Sequence, residues 1–166
     1  MNIVQANTIS STIRKLLSFA TSDKKVQQEY GKYILLSNRT LYNFEVEGEI
    51  VGCIGIEQLS LSKCEIKHIA VLADQRGKGI GSKMINFIAS KYPSIVAETD
   101  YEAVDFYRRY GFFITSLGEK YPGVDAFYVN TINSKRTRNA CLIMKSMQVL
   151  FYDFGLKTFS SRMFNA

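Results

Sequence analysis

The segment from Arg76 to Ser82 has the residue types and spacing of an anion-binding turn. Its sequence, R-G-K-G-I-G-S, follows an apolar run at residues 64–71 and precedes an amphipathic run that begins at Ile80. The start of a helix exposes backbone N–H groups and partial positive charge, and glycines let a phosphate approach those groups closely. A pyrophosphate therefore suits this turn, although a tight connection in which glycine only supplies positive φ explains the glycines equally well.

Two better-known phosphate loops do not fit this segment. The pattern G-x-x-x-x-G-K-[ST] is absent, and G-x-G-x-x-G fails because Met84 stands at its last position. Nucleotide hydrolases and Rossmann dehydrogenases are therefore disfavoured.

The composition excludes several further classes of protein. Cys53, Cys64 and Cys141 form no C-x-x-C pair and accompany a single histidine, so neither a disulfide framework nor a zinc site is supported, and we expect no metal. No run approaches the roughly 18 apolar residues of a membrane span, and no leader segment is evident, so a cytoplasmic location is expected.

The net charge of +6 is concentrated at the C-terminal end. Lys and Arg exceed Asp and Glu by one in residues 1–134 and by five in residues 135–166. The body therefore lacks the basic face of a nucleic-acid-binding domain, and binding of nucleic acid by the basic cluster at 135–138 is the less favoured reading. We expect one domain at residues 1–133 and an extension at 134–166, whose apolar part is a candidate for covering a sheet edge in a homodimer.

Hydrophobic periodicity and turn residues predict an alternation of helices and strands. A glycine turn at Glu47-Gly48 predicts a hairpin, and Thr99 to Glu102 has the form of a capping box that starts a helix ending at Gly111. The predicted helices are 8–20, 24–37, one from residue 80 and one from residue 99, and the predicted strands lie in 40–59, 64–71, 94–99, 112–117 and 126–132.

The sequence contains two motifs in its central part. The first is R/Q-x-x-G-x-G/A at Arg76 to Gly81, directly after the strand E-I-x-x-I-A-V that begins at Glu65. The second is N-x-x-A-x-x-F-Y-x-x-x-G-F, present from residue 100 to Phe112 with Asp100 in place of the commoner asparagine. Together they resemble the motifs of the acyl-CoA-dependent N-acetyltransferase superfamily, the GNAT fold. The resemblance covers residues 1 to about 132 and implies an α/β (α+β) fold with a mixed, mostly antiparallel central sheet flanked by helices.

The resemblance also implies an activity, transfer of an acetyl group from acetyl-CoA to a primary amine by direct attack through a tetrahedral intermediate. The alternative is a domain that binds acyl-CoA as a sensor or structural partner without turnover. The implied positions for coenzyme A are Ile69, Ala70 and Val71 along the pantetheine arm, Arg76, Gly77, Lys78, Gly79, Ile80, Gly81 and Ser82 at the diphosphate, and Asp100, Ala103, Phe106 and Tyr107 on the following helix.

The same resemblance assigns catalytic roles to two residues. Tyr107 stands at the usual proton-donor position for the leaving thiolate, although its helical spacing also suits a core stripe. Glu65 stands where some members carry a catalytic base. His68 titrates in a suitable range, but strand alternation predicts that it points to the opposite face from Glu65.

The acceptor is not specified by these motifs. The segment Gly118 to Phe127 is predicted to be a loop between the last two strands and to border the acceptor site. Its Glu119 and Asp125 have the charge to attract a cationic amine.

Overall fold

The computed structural model describes residues 1–121 and 124–131. The extension predicted at residues 134–166 lies outside the described residues, and so does the dimer contact predicted for it. Among the helices of the described part, none combines the length and apolarity needed to cross a bilayer.

The helices and strands follow the predicted order, with a short N-terminal strand in addition. A single 3₁₀ turn, Ala73–Gln75, precedes the glycine segment. The elements are β1 (Asn2–Ile3), α1 (Ser11–Ser18), α2 (Asp23–Leu35), β2 (Arg39–Val46), β3 (Glu49–Gln58), β4 (Lys63–Val71), α3 (Ile80–Lys91), β5 (Ser94–Asp100), α4 (Tyr101–Tyr110), β6 (Phe113–Tyr121) and β7 (Val124–Asn130).

The seven strands form one mixed sheet in the order β1-β2-β3-β4-β5-β7-β6. β4 and β5 pair in parallel, whereas every other neighbouring pair is antiparallel. A parallel pair needs a crossover connection, which α3 supplies. The sheet is therefore mixed and mostly antiparallel, as predicted.

Local signals form the first helix and the first hairpin. The Ser10 side chain accepts a hydrogen bond from the Ile13 backbone N–H and so caps α1. Glu47 and Gly48 both have positive φ, 53° and 85°, which is the two-residue turn whose twist matches that of paired strands. The hairpin turn predicted at these two residues is confirmed.

The capping box predicted from Thr99 is wrong by one residue. Thr99 belongs to β5, and the Asp100 carboxylate caps α4 by accepting a hydrogen bond from the Ala103 N–H at 3.0 Å. Pairing of β5 with β7 continues through Asp100, so Thr99 is held in the extended strand. The helix ends at Gly111, as predicted, with φ of 101°.

The segment Gly118 to Phe127 is mostly strand, and its prediction as a loop was wrong. β6 runs to residue 121 and β7 begins at residue 124, with Glu119 opposite Asp125. Cross-strand pairing extends both strands beyond the apolar runs that predicted them.

The sheet packs a separate apolar cluster on each of its faces. The face that we call the α3–α4 face carries Met84, Ile88 and Tyr107 against the central strands. The opposite face, which we call the α1–α2 face, carries Leu16, Tyr33 and other side chains from the first two helices. Both faces are thus covered by helices, as expected for a sheet that contains a buried parallel pair.

Candidate active site

A cavity of about 530 Å³ opens where β4 and β5 separate. The two strands pair only from Lys63 to Ile66 on β4 and from Ser94 to Ala97 on β5, after which β5 pairs with β7 alone. The cavity is lined by β4, β5, α4, the β6–β7 hairpin and residues 18–21 at the end of α1. The separation of two parallel strands therefore opens a concave site within the sheet.

A β-bulge at Lys67 changes which faces the β4 side chains occupy. Gly55 of β3 pairs with His68 and the next residue, Ile56, pairs with Ile66, so Lys67 is the extra residue. Ile66 consequently packs in the cluster of the α3–α4 face, whereas His68 bonds to Tyr33 on the α1–α2 face.

Glu65 and His68 therefore lie on the same face of the sheet, contrary to the prediction from strict alternation. Glu65 pairs with Glu57, and its side chain is opposite in direction to that of Ile66. The bulge between Ile66 and His68 reverses the alternation, which a single sequence does not reveal.

Tyr107 reaches the cavity from the α3–α4 face. Its side chain is 3% exposed and makes edge contacts with the rings of Phe106 and Phe112. Among the described residues the Tyr107 hydroxyl has no hydrogen-bond partner. Every fully buried side-chain oxygen in that part of the chain does have a partner, so the Tyr107 hydroxyl is not fully buried and is open to the cavity. Burial, assisted by the Asp100 carboxylate, raises the pKa of Tyr107, and the phenol stays protonated across the physiological range.

His68 reaches the same cavity from the α1–α2 face. It is 7% exposed, and its Nδ1 lies 2.5 Å from the hydroxyl of Tyr33. Burial lowers the pKa of His68 to about 4, an effect that the Glu29 carboxylate opposes. The imidazole is therefore neutral near pH 7.

Glu65 does not line the cavity, but it is bonded to a residue that does. Its carboxylate accepts an ion-paired hydrogen bond from Lys67 Nζ at 2.8 Å, and both side chains are about a quarter exposed. Lys67 is a lining residue that sequence reasoning missed, since nothing in the sequence marks the bulge that turns it.

Charged side chains of both signs from β5 and the β6–β7 hairpin line the cavity. Lys120 forms an ion pair with Glu98 at 2.5 Å, and both are exposed. Asp100 and Asp125 add two more carboxylates to the lining, whereas Glu119 is not part of it. The hairpin predicted to border the site thus does border the cavity, through Lys120, Asp125 and Ala126.

The glycine turn lies outside the cavity, at the start of α3. Gly77 and Gly79 have φ of 77° and 74°, a conformation that favours glycine, and no side chain caps α3. Arg76 is anchored to the protein, with its Nε donating to the Val71 carbonyl at 3.1 Å and its guanidinium 5.2 Å from the ring centre of Phe19. The backbone N–H groups at the start of the helix are the polar groups that the turn offers to an anion.

Gly81 has a packing role in addition. A Cβ at this position would lie 3.0 Å from ring carbons of Phe106, so the missing side chain lets α3 and α4 approach closely. Ile80 is 4% exposed and belongs to the core, which leaves its backbone as its contribution to the turn.

The residues singled out from the sequence thus separate into two places. Ile69, Asp100, Ala103 and Tyr107 line the cavity, together with His68. Ala70 and Val71 continue β4 beyond its pairing with β5, toward the glycine turn. The lining residue Phe19, at the end of α1, is a further one that sequence reasoning missed, because its position depends on how α1 packs on the sheet.

Neither a metal nor a reactive thiol is indicated in residues 1–121 and 124–131. No three His, Cys, Asp or Glu side chains cluster there as a metal site requires. Cys53 and Cys64 are buried, and burial raises the pKa of each thiol to about 12, which disfavours the nucleophilic thiolate.

Comparison with known proteins gives a family match and a curated relative. Residues 37–113 match the acetyltransferase (GNAT) domain family. The chain is 35% identical over 81 residues to an uncharacterized N-acetyltransferase encoded in the lysA 3′ region of Bacillus methanolicus, and the match covers 47% of this chain and 68% of that protein.

Solved structures with the same fold include two with a coenzyme bound. A GNAT family acetyltransferase from Elizabethkingia anophelis with acetyl-CoA bound has a TM-score of 0.60 and 23% identity, covering 78% of this chain and 95% of its own. An aminoglycoside 6′-N-acetyltransferase complexed with coenzyme A has a TM-score of 0.63 and 16% identity, and the match covers 79% of this chain and 96% of that protein.

Proposed function

Because this chain belongs to the GNAT acetyltransferase superfamily and is an N-acetyltransferase that uses acetyl-CoA, we propose which residues bind the coenzyme and which take part in transferring the acetyl group to a primary amine. The fold expected from the two sequence motifs is confirmed, and so is the class of reaction. The acceptor and the catalytic roles below are proposals. One observation carries them: the separation of β4 from β5 brings Tyr107 and the unpaired edge of β4 to one cavity.

The diphosphate of coenzyme A binds the backbone N–H groups from Gly77 to Ser82. The uncapped start of α3 and the positive φ of two glycines support this placement. The pantetheine arm lies along Ile69, Ala70 and Val71, where β4 has no β5 partner and its open edge can pair with the amides of the arm, beside the Val71 carbonyl that Arg76 holds. Asp100 at the end of β5 and Ala103 of α4 line the opposite wall, and Phe106 of α4 packs beside Gly81 at the start of α3.

Tyr107 donates a hydrogen bond to the sulfur of the thioester. Its hydroxyl is open to the cavity, and its raised pKa keeps the proton on the phenol while negative charge develops on sulfur. A donor of this kind stabilises the departing thiolate more than the neutral thioester, which is the requirement for lowering the barrier.

Glu65 accepts the proton of the amine through a water molecule at the edge of the cavity. A free amine is needed for attack, and a primary ammonium with a pKa of about 10.4 carries its proton near neutral pH. The carboxylate lies beside Lys67, which lines the cavity, on the face that also carries His68. Asp100 and Asp125 attract the cationic form of the acceptor to the opening.

The reaction then balances without a covalent enzyme intermediate. The amine nitrogen forms a bond to the thioester carbonyl carbon, and the resulting oxyanion is held by a backbone N–H near Val71. Collapse breaks the carbon–sulfur bond, the nitrogen loses its extra proton to the base, and the thiolate takes up a proton to give coenzyme A.

The test combines calorimetric titration with acetyl-CoA and a thiol-release assay over a panel of primary amines. Tyr107→Phe and Glu65→Gln are expected to bind acetyl-CoA within about twofold of the wild type and to lose roughly a hundredfold or more of amine-dependent turnover. Tyr42→Phe, which alters a buried tyrosine away from the cavity, is the matched control and should keep both properties. Full turnover in both site variants would overturn the assigned roles, and absence of acetyl-CoA binding would overturn the proposed coenzyme site.

A further inference from the structure

Tyr33 and His68 form a buried polar pair beneath the cavity. Their side chains come from α2 and β4, the ring centres are 5.8 Å apart in an edge contact, and Tyr33 Oη lies 2.5 Å from His68 Nδ1. Gly55 of β3 makes room for the phenol, since a Cβ at that position would lie 2.1 Å from Tyr33 Oη. The positions of α2, β3 and β4 thus together determine the geometry of the Tyr33–His68 hydrogen bond.

The chemistry of the phenol decides the direction of this bond. Among the described residues, Nδ1 of His68 is the sole hydrogen-bond partner of the Tyr33 hydroxyl. A buried O–H without an acceptor costs more than the bond itself contributes, so the proton of Tyr33 points at Nδ1. Nδ1 then acts as the acceptor, and the neutral imidazole carries its own proton on Nε2.

The Nε2–H group faces the cavity. In the described part of the chain, every fully buried side-chain nitrogen or oxygen has a hydrogen-bond partner. Nε2 of His68 has no hydrogen-bond partner among those residues, so it is not fully buried. Nε2 is therefore accessible, and the cavity is the space that His68 lines.

We infer that Tyr33 is a positioning residue that holds His68 as a neutral N–H donor for an oxygen atom of the acceptor substrate. The inference rests on the proposed function and deepens it. It assigns the acceptor to amines that carry a hydrogen-bond-accepting oxygen close to the reacting nitrogen. It also removes His68 as a general base, because its cavity-facing nitrogen has no free lone pair.

The two faces of the sheet explain why the acceptor, rather than the thioester, receives this bond. Tyr107 approaches the cavity from the α3–α4 face, and His68 approaches it from the α1–α2 face. A thioester sulfur within reach of Tyr107 thus leaves His68 on the far side, where the attacking molecule enters. Residues 18–21 at the end of α1 wall the same side.

Burial is the main cause of the lowered pKa of His68 and keeps the imidazole neutral, while the charges around the pair act in both directions. Lys32 from α2, Arg39 from β2 and Lys67 from β4 oppose its protonation, while Glu29 from α2 favours it. Glu29 and Glu57 are both engaged by Arg39, at 3.3 and 2.7 Å. A neutral donor suits an uncharged oxygen, which needs a hydrogen bond and no counter-ion.

The chain contains a single histidine, so ¹⁵N-histidine NMR of the full-length protein observes His68 alone. The expected spectrum near pH 7 shows the Nε2–H tautomer in excess by roughly tenfold or more, with protonation only as the pH falls toward about 4. Tyr33→Phe removes the donor and should reduce this excess toward that of a free imidazole, whereas Tyr42→Phe should leave the spectrum unchanged. An Nδ1–H tautomer in the wild type, or an unchanged ratio in Tyr33→Phe, would overturn the inference.

The same resonance tests which molecule His68 contacts. Saturating coenzyme A should leave Nε2 nearly unmoved, and a large shift would place His68 at the coenzyme and overturn the assignment to the acceptor. With coenzyme A bound, 2-methoxyethylamine should shift Nε2 at concentrations where its isostere n-butylamine does not. Equal shifts, or none with either amine, would refute the oxygen contact. Failure of coenzyme A to bind is measured separately by calorimetry and would count against the proposed function, not against the tautomer.

Discussion

The α3–α4 face of the sheet is packed with apolar side chains, whereas the α1–α2 face holds polar groups beneath its surface. On the first face Met84, Ile85 and Ile88 are fully buried against the strands. On the second, His68 and Asn43 are the buried polar side chains of the described residues, and Asn43 pairs across the sheet with Cys53 of that face.

This difference matches a division of labour in the proposed reaction. The coenzyme is the same in every turnover, so an apolar wall that presents the Tyr107 phenol to the cavity suffices to hold and activate it. An acceptor is selected by its polar groups, and a buried polar pair whose geometry is set by the fold provides that selection. The face with buried polar groups should consequently be the more sensitive to pH and to small changes of volume.

The largest effect expected on stability is its pH dependence through His68. The folded pKa of about 4 lies below the usual value of about 6.5, so the unfolded chain takes up the proton first. Stability is therefore fully present above pH 6.5 and falls by about 3 kcal/mol as the pH drops to 4. Urea unfolding at several pH values, for the wild type and His68→Gln, measures this as the part of the pH dependence that the variant lacks.

The pKa of the Glu29 carboxyl is lowered by Lys32 against the opposing effect of burial, so carboxylates also contribute to the loss of stability as the pH falls, and the difference between the two proteins is the quantity to compare. Parallel pH profiles for wild type and variant would mean that the α1–α2 face has no special sensitivity to pH.

The second effect comes from the space that Gly55 leaves for Tyr33. In Gly55→Ala the new methyl group would lie 2.1 Å from Tyr33 Oη and 2.4 Å from its Cζ, so the ring must move. We expect a loss of about 2 kcal/mol in the free energy of unfolding, as for other overpacked cores, together with loss of the Nε2–H preference of His68.

Gly31→Ala is the matched control for this substitution. Gly31 lies in α2 with nothing within 4 Å of an added Cβ, so the same chemical change should stabilise the protein by about 0.5–1 kcal/mol. Similar destabilisation by both substitutions would show that the Tyr33 pocket is not the cause.

The smallest effect on stability concerns the Asp100 cap of α4, on the α3–α4 face. Asp100→Ala removes the acceptor for the Ala103 N–H and should cost about 1 kcal/mol, whereas Asp100→Asn keeps an acceptor and should cost only a few tenths. Thermal unfolding of the two variants separates the cap from the charge. A larger cost for the asparagine variant than for alanine would contradict the capping role.

The elements to which we assign the coenzyme are also the ones that could be predicted from the sequence. They are short motifs read along one segment: a strand, a glycine turn, a helix, and a second motif that ends at Gly111 and Phe112. Such local patterns predicted the family and the Glu47-Gly48 turn correctly, because each is decided by neighbouring residues, and the resemblance to the family then implied the sheet type.

The polar pair on the α1–α2 face, to which we assign the acceptor, is built from residues that are distant in sequence. Tyr33, Gly55 and His68 come together through the pairing of β3 with β4 and the hydrogen bond between Tyr33 and His68. The bulge at Lys67 reverses the direction of every later side chain on β4. Strict alternation therefore misplaced His68 relative to Glu65, and no local signal marked Tyr33 as more than a core residue.

A crystal structure of the full chain with coenzyme A bound tests the division between the two faces most directly. The account predicts the diphosphate against the N–H groups of Gly77 to Ser82, the sulfur within hydrogen-bond distance of the Tyr107 hydroxyl, and His68 out of contact with the coenzyme. A coenzyme whose sulfur lies against His68, or whose diphosphate lies away from the glycine turn, would contradict it.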